Sequence, residues 1–376
     1  MLEGIHLENF KASRDVPLRL TSLTILAGLN SSGKSTLLQA IGALRQSYDP
    51  NGRTDGLSLS GNLVQLGQYR DLLTEGTDSD AITITVEENG ASYKWVFAGA
   101  PAANQLLFST APASPPSFVT SPNFQFLQAD RIVPRTLYPQ APQRARDTGF
   151  LGPRGEYTAD FLYMAAKRSV EGARTFPRTG LGLSDDLLNK VAPTDGLLDQ
   201  VAGWLQQLSP GARLDADLIS GTDEVLLQFR FVGKKRDTTS NPYRPTNVGF
   251  GLTYSLPIVV ACLASPRGAL LLLENPEAHL HPQGQAALGD LIARAANDGV
   301  QIIVETHSDH LLNGMRLAVK RGLISNENVV LHFFQRKIET GEAFVQTPAV
   351  LSNGRLSNWP DGFFDQWDKD VNSLLD

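Results

Sequence analysis

Gly28-Leu29-Asn30-Ser31-Ser32-Gly33-Lys34-Ser35 satisfies G-x-x-x-x-G-K-[ST] at every position, and it restricts the fold more than any other stretch of the chain. The apolar run Leu23 to Ala27 leads into it. Lys34 to Arg45 follows, with Leu37, Leu38, Ile41 and Leu44 at helical spacing. A glycine loop between a buried strand and a helix lets backbone N–H groups close round phosphate oxygens, and the helix N-terminus adds partial positive charge. Lys34 supplies a point charge for the β- and γ-phosphates, and Ser35 a hydroxyl for magnesium. Gly28, Asn30, Ser31, Ser32, Gly33 and Thr36 complete the loop. The alternative is a glycine-serine turn that merely caps a helix, and the strand before the loop argues against it.

The rest of the chain reads as an α/β protein. Leu2 to Asn9 alternates as a half-buried strand does. Ala81 to Val86 and Ser92 to Phe97 read as a hairpin round Asn89-Gly90. Ala98 to Pro122 is rich in Ala, Pro and Ser and reads as an exposed loop, and Phe124 to Leu127 as a short strand. Glu156 to Leu208 reads as helical, with Leu197, Leu198, Val201, Leu205 and Leu208 on one stripe, and Arg213 to Val232 returns to strands. From Gly249 onward the order is helix, strand, helix, strand, helix, strand, which implies a parallel sheet with crossover helices.

Two further strand ends carry chemistry. Ala269 to Leu273 is an apolar strand closed by Glu274, the position from which a P-loop enzyme holds magnesium. Gln301 to Glu305 is a second strand, followed by Thr306-His307-Ser308, with Ser308 as N-cap of the next helix. His279 and His281 beside two glutamates raise a metal site as an alternative, but no third clustered ligand set accompanies them.

The string Glu274-Asn275-Pro276-Glu277-Ala278-His279-Leu280-His281-Pro282 resembles the RecF, SMC and OLD branch of ABC-type ATPases. That resemblance implies an ABC-type P-loop ATPase head: a mixed, mainly parallel core sheet, an antiparallel β lobe and a helical insertion. It implies a single domain over residues 1–376, with an N-terminal lobe 1–130, an inserted, mainly helical region 131–212 and a C-terminal lobe 213–376. ATP and Mg²⁺ are the expected cofactors, with Ser35, Glu274 and Gln128 at the metal. Gln65 and Gln68 remain alternatives for the metal-sensing glutamine.

In such proteins a catalytic carboxylate follows the metal-binding acid directly, and here Asn275 stands in that place. An amide is a poor general base. If Asn275 to Glu277 is extended, both side chains point the same way, so Glu277 is expected to polarise the attacking water. His307 matches the switch histidine that reaches the γ-phosphate. Asn247, Gly249 and Gly251 stand where the dimer signature lies, with Asn247 replacing the usual Ser. A glycine-opened helix there is a second anion site, which two head-to-tail copies can close over one nucleotide. Phe10 to Arg14 resembles the segment that contacts the base in SMC-like heads.

The tail, Trp359-Pro360-Asp361-Gly362-Phe363-Phe364-Asp365-Gln366, resembles the C-terminal box of a bacterial ATPase family of unknown function, whose relatives resemble ATPase subunits of antiphage systems such as Septu and Gabija. No heptad arms interrupt the chain, and no acidic cluster remains for an OLD-type nuclease. The expected partners are a second copy, an effector such as a nuclease or toxin, and nucleic acid.

Composition sets the remaining bounds. With net charge −6, a whole-surface grip on nucleic acid is not expected; the local excess of basic residues between Asp130 and Gly180, and Lys234-Lys235-Arg236, are the candidate patches. Cys262 is the only cysteine, so neither an intramolecular disulfide nor a cysteine zinc cluster forms. The N-terminus does not read as a signal peptide, and the apolar stretches fall short of the ~20 residues that span a bilayer. The expected home is the cytoplasm. The leading expectation is an ATP-hydrolysing dimer controlling an effector. A nucleotide-gated scaffold with minimal hydrolysis is the alternative that Asn275 supports. A P-loop kinase would need an acceptor site and a lid with catalytic arginines.

Overall fold

The computed structural model describes residues 1–77, 79–99, 103, 105–170, 172–177, 191–231, 240–360, 362–363, 370–371 and 373–374. By contact the chain forms two compact units: Met1–Ser121 with Ile303–Asp309 and Val319–Asp376, and Pro122–Ile302 with His310–Ala318.

The first unit opens with β1 (Leu2–Phe10), β2 (Ser13–Arg19) and β3 (Leu23–Gly28), followed by α1 (Lys34–Gln46), β4 (Leu57–Ser58), β5 (Ile82–Glu88), β6 (Ala91–Ala98) and β7 (Gln105–Thr110). An antiparallel sheet has the order β2-β1-β5-β6-β7-β4. The expected hairpin is β5–β6, in register from Ile82↔Phe97 to Glu88↔Ala91. Asn89 and Gly90 both take positive φ, 52° and 75°, as a two-residue hairpin turn with the sheet's own twist requires. Ile82, Ile84, Val86, Trp95 and Phe97 fill one face, and Trp95 Nε1 donates to the Tyr48 hydroxyl at 2.8 Å.

Two strands of this sheet depart from the sequence reading. β2 carries Arg14, Asp15, Pro17 and Arg19 and shows too few apolar residues to stand out, yet it pairs with β1 from Gly4↔Arg19 to Phe10↔Ser13. β7 and the buried Phe118 and Val119 lie within 98–122, so that segment is not simply an exposed loop.

The second unit contains β8 (Phe124–Leu127), β9 (Leu137–Pro139), α2 (Gln143–Thr148), α3 (Thr158–Ala165), α4 (Leu197–Leu208), β10 (Ala212–Leu218), β11 (Glu224–Phe231), α5 (Phe250–Ala264), β12 (Leu270–Glu274) and α6 (Pro282–Asn297). After β13 (Gln301–Thr306) come α7 (Asp309–Lys320), β14 (Val329–Arg336) and β15 (Ala343–Gln346). The six-element succession expected after Gly249 is thus α5, β12, α6, β13, α7 and β14. Ser308 stands immediately before α7, the expected cap position.

In the first unit β3 pairs in parallel with β14, from Val329↔Leu23 to Phe334↔Gly28, and β15 pairs antiparallel with β14. In the second, β12 pairs in parallel with β8, from Leu270↔Phe124 to Leu273↔Leu127. Strands buried on both faces read as unbroken apolar runs, which is why β3 and β12 are legible without alternation. β10, β11 and β9 form a separate antiparallel sheet. Within residues 156–208, α3, α4 and Val191 are α-helical; 166–170, 172–177 and 192–196 are not, contrary to the helical expectation, and 178–190 lie outside the described residues.

Candidate nucleotide site

The phosphate loop leaves β3 through Gly28 at φ 143°, passes Ser31 at φ 60°, and enters α1 through Gly33 at φ 99°. A Cβ on Gly28 would lie 2.2 Å from the Phe334 carbonyl oxygen, so β14 closes on the loop only because this position has no side chain. Gly33 caps α1 without a side-chain bond, and the first turn of α1 holds no acidic residue. The Thr36 N–H returns to the Gly33 carbonyl at 3.2 Å, and the helix N-terminus adds partial positive charge behind the loop. Ser32 Oγ donates to the Leu29 carbonyl at 2.8 Å and Lys34 Nζ to the same oxygen at 2.7 Å, which pins the loop's curvature. Leu29, Asn30 and Ser31 face solvent. This donor set fits a triphosphate: backbone N–H groups, one ammonium, and the Ser35 hydroxyl as a hard oxygen ligand for magnesium.

The end of β13 adds two side chains to the loop. Glu305 Oε1 accepts the Ser35 hydroxyl at 2.9 Å and lies 4.0 Å from Lys34 Nζ. The Lys34 and Glu305 side chains are only 3% and 5% exposed. His307 donates from its ring to the Gly28 carbonyl, and burial followed by the Lys34 charge lowers its pKa below the ordinary imidazole range. The sequence-predicted switch histidine is thus next to the loop that binds phosphate. Of the segment expected at the base, Phe10 is fully buried, Lys11 Nζ donates to Gln39, and Arg14 pairs with Glu342.

The acidic motif is organised by a residue to which sequence reasoning gave no role. Arg131 is fully buried. Its Nη1 donates to the carbonyls of Gln128 at 3.0 Å and Glu274 at 2.8 Å, and its Nη2 to that of Asn275 at 2.7 Å. The guanidinium lies 4.7 Å from the centre of the Tyr254 ring. Burial pulls its pKa down to about 10, while Tyr254, Glu277 and Glu274 work in the opposite direction. One side chain therefore ties the end of β8 to the end of β12. Gln128 follows β8 directly, and the Ala129 N–H donates to Glu274 Oε2 at 3.0 Å, so the predicted glutamine and the predicted acid meet at adjacent parallel strand ends. Gln68 is occupied elsewhere, capping a short turn with Asp71.

Asn275 to Glu277 is not extended. Asn275 takes φ 43°, Ala278 N–H returns to the Asn275 carbonyl at 3.2 Å and Leu280 N–H to that of Glu277 at 3.1 Å. The alternation argument for Glu277 therefore fails, because Pro276 and the positive φ before it turn the chain. The turn instead buries Glu277, 9% exposed, within the field of Arg131. His279 packs its ring against Phe250 and Tyr254, and His281 caps α6 by accepting from Gln283 N–H. Among the described residues no group of His, Cys, Asp or Glu is arranged to hold a metal by itself.

Gly249 caps α5, and Asn247 ends the short turn before it. A Cβ on Gly249 would meet nothing within 4 Å, and the neighbouring Phe250 is 44% exposed. Gly251 differs: a Cβ there would lie 2.6 Å from the His279 carbonyl oxygen. Its glycine is accounted for by packing against the acidic turn.

Three family matches follow this division of motifs. A family described as AAA ATPase domain matches residues 1–133. An AAA domain whose description names the AbiEii toxin of a Type IV TA system matches residues 170–313. A protein of unknown function family, DUF3696, matches residues 324–374, which include the tail box. Among solved structures, an SmcHead bound to the C-winged helix domain of ScpA aligns over 93% of this chain and 98% of its own, at 15% identity and a TM-score of 0.53. An Smc head domain with an extended coiled coil, bound to the C-terminal domain of ScpA and derived from Pyrococcus furiosus, aligns over 100% of both chains at 13% identity and a TM-score of 0.51. No curated protein matches in sequence. The fold is that of an SMC head, and two segments of the chain match AAA ATPase domain models.

The tail reaches its own unit through Phe363, whose ring is 4.8 Å from Phe333 of β14 and 5.1 Å from Trp359. Four basic residues of the stretch expected as a nucleic-acid patch are engaged within the protein, while Arg135, Arg144, Lys167 and Arg168 are exposed. Besides Arg131, Arg146 pairs with Asp160, Arg154 with Asp130 and Arg174 with Asp298. Lys234-Lys235-Arg236 lies outside the described residues. Among the described residues, no helix is long and apolar enough to cross a membrane.

Proposed function

We propose that this ATPase binds ATP with Mg²⁺ on Gly28–Thr36 and hydrolyses it as a nucleotide-dependent homodimer, the whole 376-residue chain acting as one head. The observation that carries the reading is the phosphate loop, with Lys34 buried beneath it and no acidic residue in the first turn of α1. In the dimer the Gly249-opened end of α5, with Asn247 and Gly251, comes from the second copy. Glu274, Gln128 and Ser35 serve the metal, Glu277 polarises the attacking water, and His307 contacts the γ-phosphate. Glu277 is buried in the turn that follows the acidic strand end, which supports its role.

The dimer switches an effector of the nuclease or toxin class in a cytoplasmic antiphage or DNA-transaction complex. The SMC heads it resembles are described with a domain of ScpA bound, which supports a protein partner here. Nucleic acid is the proposed trigger, and a steep fall in DNA affinity with salt is its signature.

Lys34→Ala tests the root of the reading. Nucleotide affinity and nucleotide-dependent self-association should both be lost, and their survival ends the proposal. Glu277→Gln should keep binding and lose turnover.

Asn275 favours a second reading, a nucleotide-gated scaffold, because an amide follows Glu274 and its carbonyl is held by Arg131. Turnover measured with and without DNA separates the two: the scaffold hydrolyses slowly in both.

A further inference from the structure

Glu305 stands where a phosphate loop least tolerates it. The loop collects N–H donors and one ammonium for an anion, and beside them lies a buried carboxylate, 2.9 Å from Ser35 Oγ and 4.0 Å from Lys34 Nζ. All three residues belong to the first unit, and β13 delivers Glu305 at the end of a buried run from Gln301 to Val304. A fixed negative charge a few ångströms from bound phosphate opposes binding, and low solvent access leaves that repulsion poorly screened. A divalent cation held by Ser35 would reverse the sign, because its two positive charges would offset the carboxylate. By accepting the Ser35 proton, Glu305 also leaves the hydroxyl lone pairs to a metal, the service that carboxylates behind metal ligands perform.

We propose that Glu305 makes nucleotide binding conditional on the divalent cation: it penalises metal-free nucleotide and orients Ser35 for the metal. This rests on the reading of Gly28–Thr36 as the ATP site. Coupling of this kind is reciprocal, so nucleotide raises metal affinity by the same factor that metal raises nucleotide affinity.

The test is the affinity of the full chain for a non-hydrolysable ATP analogue, in Mg²⁺ and in EDTA, with thermal unfolding used to match folded fractions. The wild type should bind more tightly in Mg²⁺ by a factor of about ten or more. In Glu305→Gln, EDTA affinity should rise by about tenfold and the Mg²⁺-to-EDTA ratio should fall toward one. Glu305→Asp keeps the charge and should keep most of the ratio. Ser35→Ala should lower the ratio by weakening binding in Mg²⁺, and adding Glu305→Gln to it should still raise the EDTA affinity. An unchanged ratio in Glu305→Gln, or Glu305→Asp behaving as Glu305→Gln does, overturns the proposal. Lys34→Ala should weaken binding in both buffers. If it does not, the nucleotide-site reading has failed, which is a separate result.

Discussion

Arg131 shows how one side chain can set the geometry of a motif to which it does not belong. Its charge persists at neutral pH even with its pKa drawn down to about 10. Its planar fork reaches the Gln128, Glu274 and Asn275 carbonyls together. Arg131→Met fills the volume but removes the guanidinium donors from the Gln128, Glu274 and Asn275 carbonyls, and should cost about 3 kcal/mol of unfolding free energy. Arg131→Lys keeps the charge on a single nitrogen that cannot span the same three oxygens, so its loss should be intermediate. Denaturant titration of the nucleotide-free chain measures both. A loss below about 1 kcal/mol for the methionine variant would mean that the turn after Glu274 holds itself. Such residues escape sequence reading for a plain reason: Arg131 and Glu274 are 143 positions apart, and Ser35 and Glu305 are 270 apart. Glu305 nevertheless left a trace. Gln301-Ile302-Ile303-Val304-Glu305 repeats the pattern of Leu270 to Glu274, an apolar strand ending in a carboxylate, but His307 two positions later drew the functional reading.

At the scale of elements, legibility followed burial. β3, β12 and the helices after Gly249 are buried on several sides and announce themselves by unbroken or periodic apolar runs. The β5–β6 hairpin announced itself by Asn89-Gly90, a pair suited to two successive positive φ values. β2 and β7 lie in the same sheet with exposed polar faces, and composition hid them. The Asn275–Pro282 turn was legible as a motif but not as a shape, because alternation was assumed where Pro276 breaks it. The two glycines at the start of α5 separate shape from chemistry. Gly251→Ala drives a methyl into the His279 carbonyl and should destabilise the chain by about 1–3 kcal/mol. Gly249→Ala projects a methyl into open space and should change stability by no more than about 0.5 kcal/mol. Unfolding of the two variants side by side decides this; equal losses would show that the helix start, rather than the close approach at Gly251, is what the sequence protects.

For the whole molecule the question is whether one chain can complete its own site, and mixed variants answer it without a structure of the assembly. Lys34→Ala removes the phosphate-binding charge and leaves Gly249 intact. Gly249→Glu leaves the loop intact and places a carboxylate where a partner's γ-phosphate is proposed to approach, at a position where a Cβ meets nothing within 4 Å. Each homodimer then carries two damaged sites. A heterodimer carries one site damaged twice, and one in which Lys34 of the glutamate variant faces Gly249 of the alanine variant. Lys34→Ala does not pair with itself, so the dimers that close over nucleotide in the mixture are heterodimers, each with one of its two sites whole. Turnover of the mixture should therefore climb from near zero toward about half of wild type at most. A site built within a single chain gains nothing from mixing, since every chain present is defective. Turnover that stays at the level of the separate variants, in a mixture shown by sedimentation to contain ATP-dependent dimers, would exclude a shared site while leaving the phosphate loop of each copy intact as a nucleotide site.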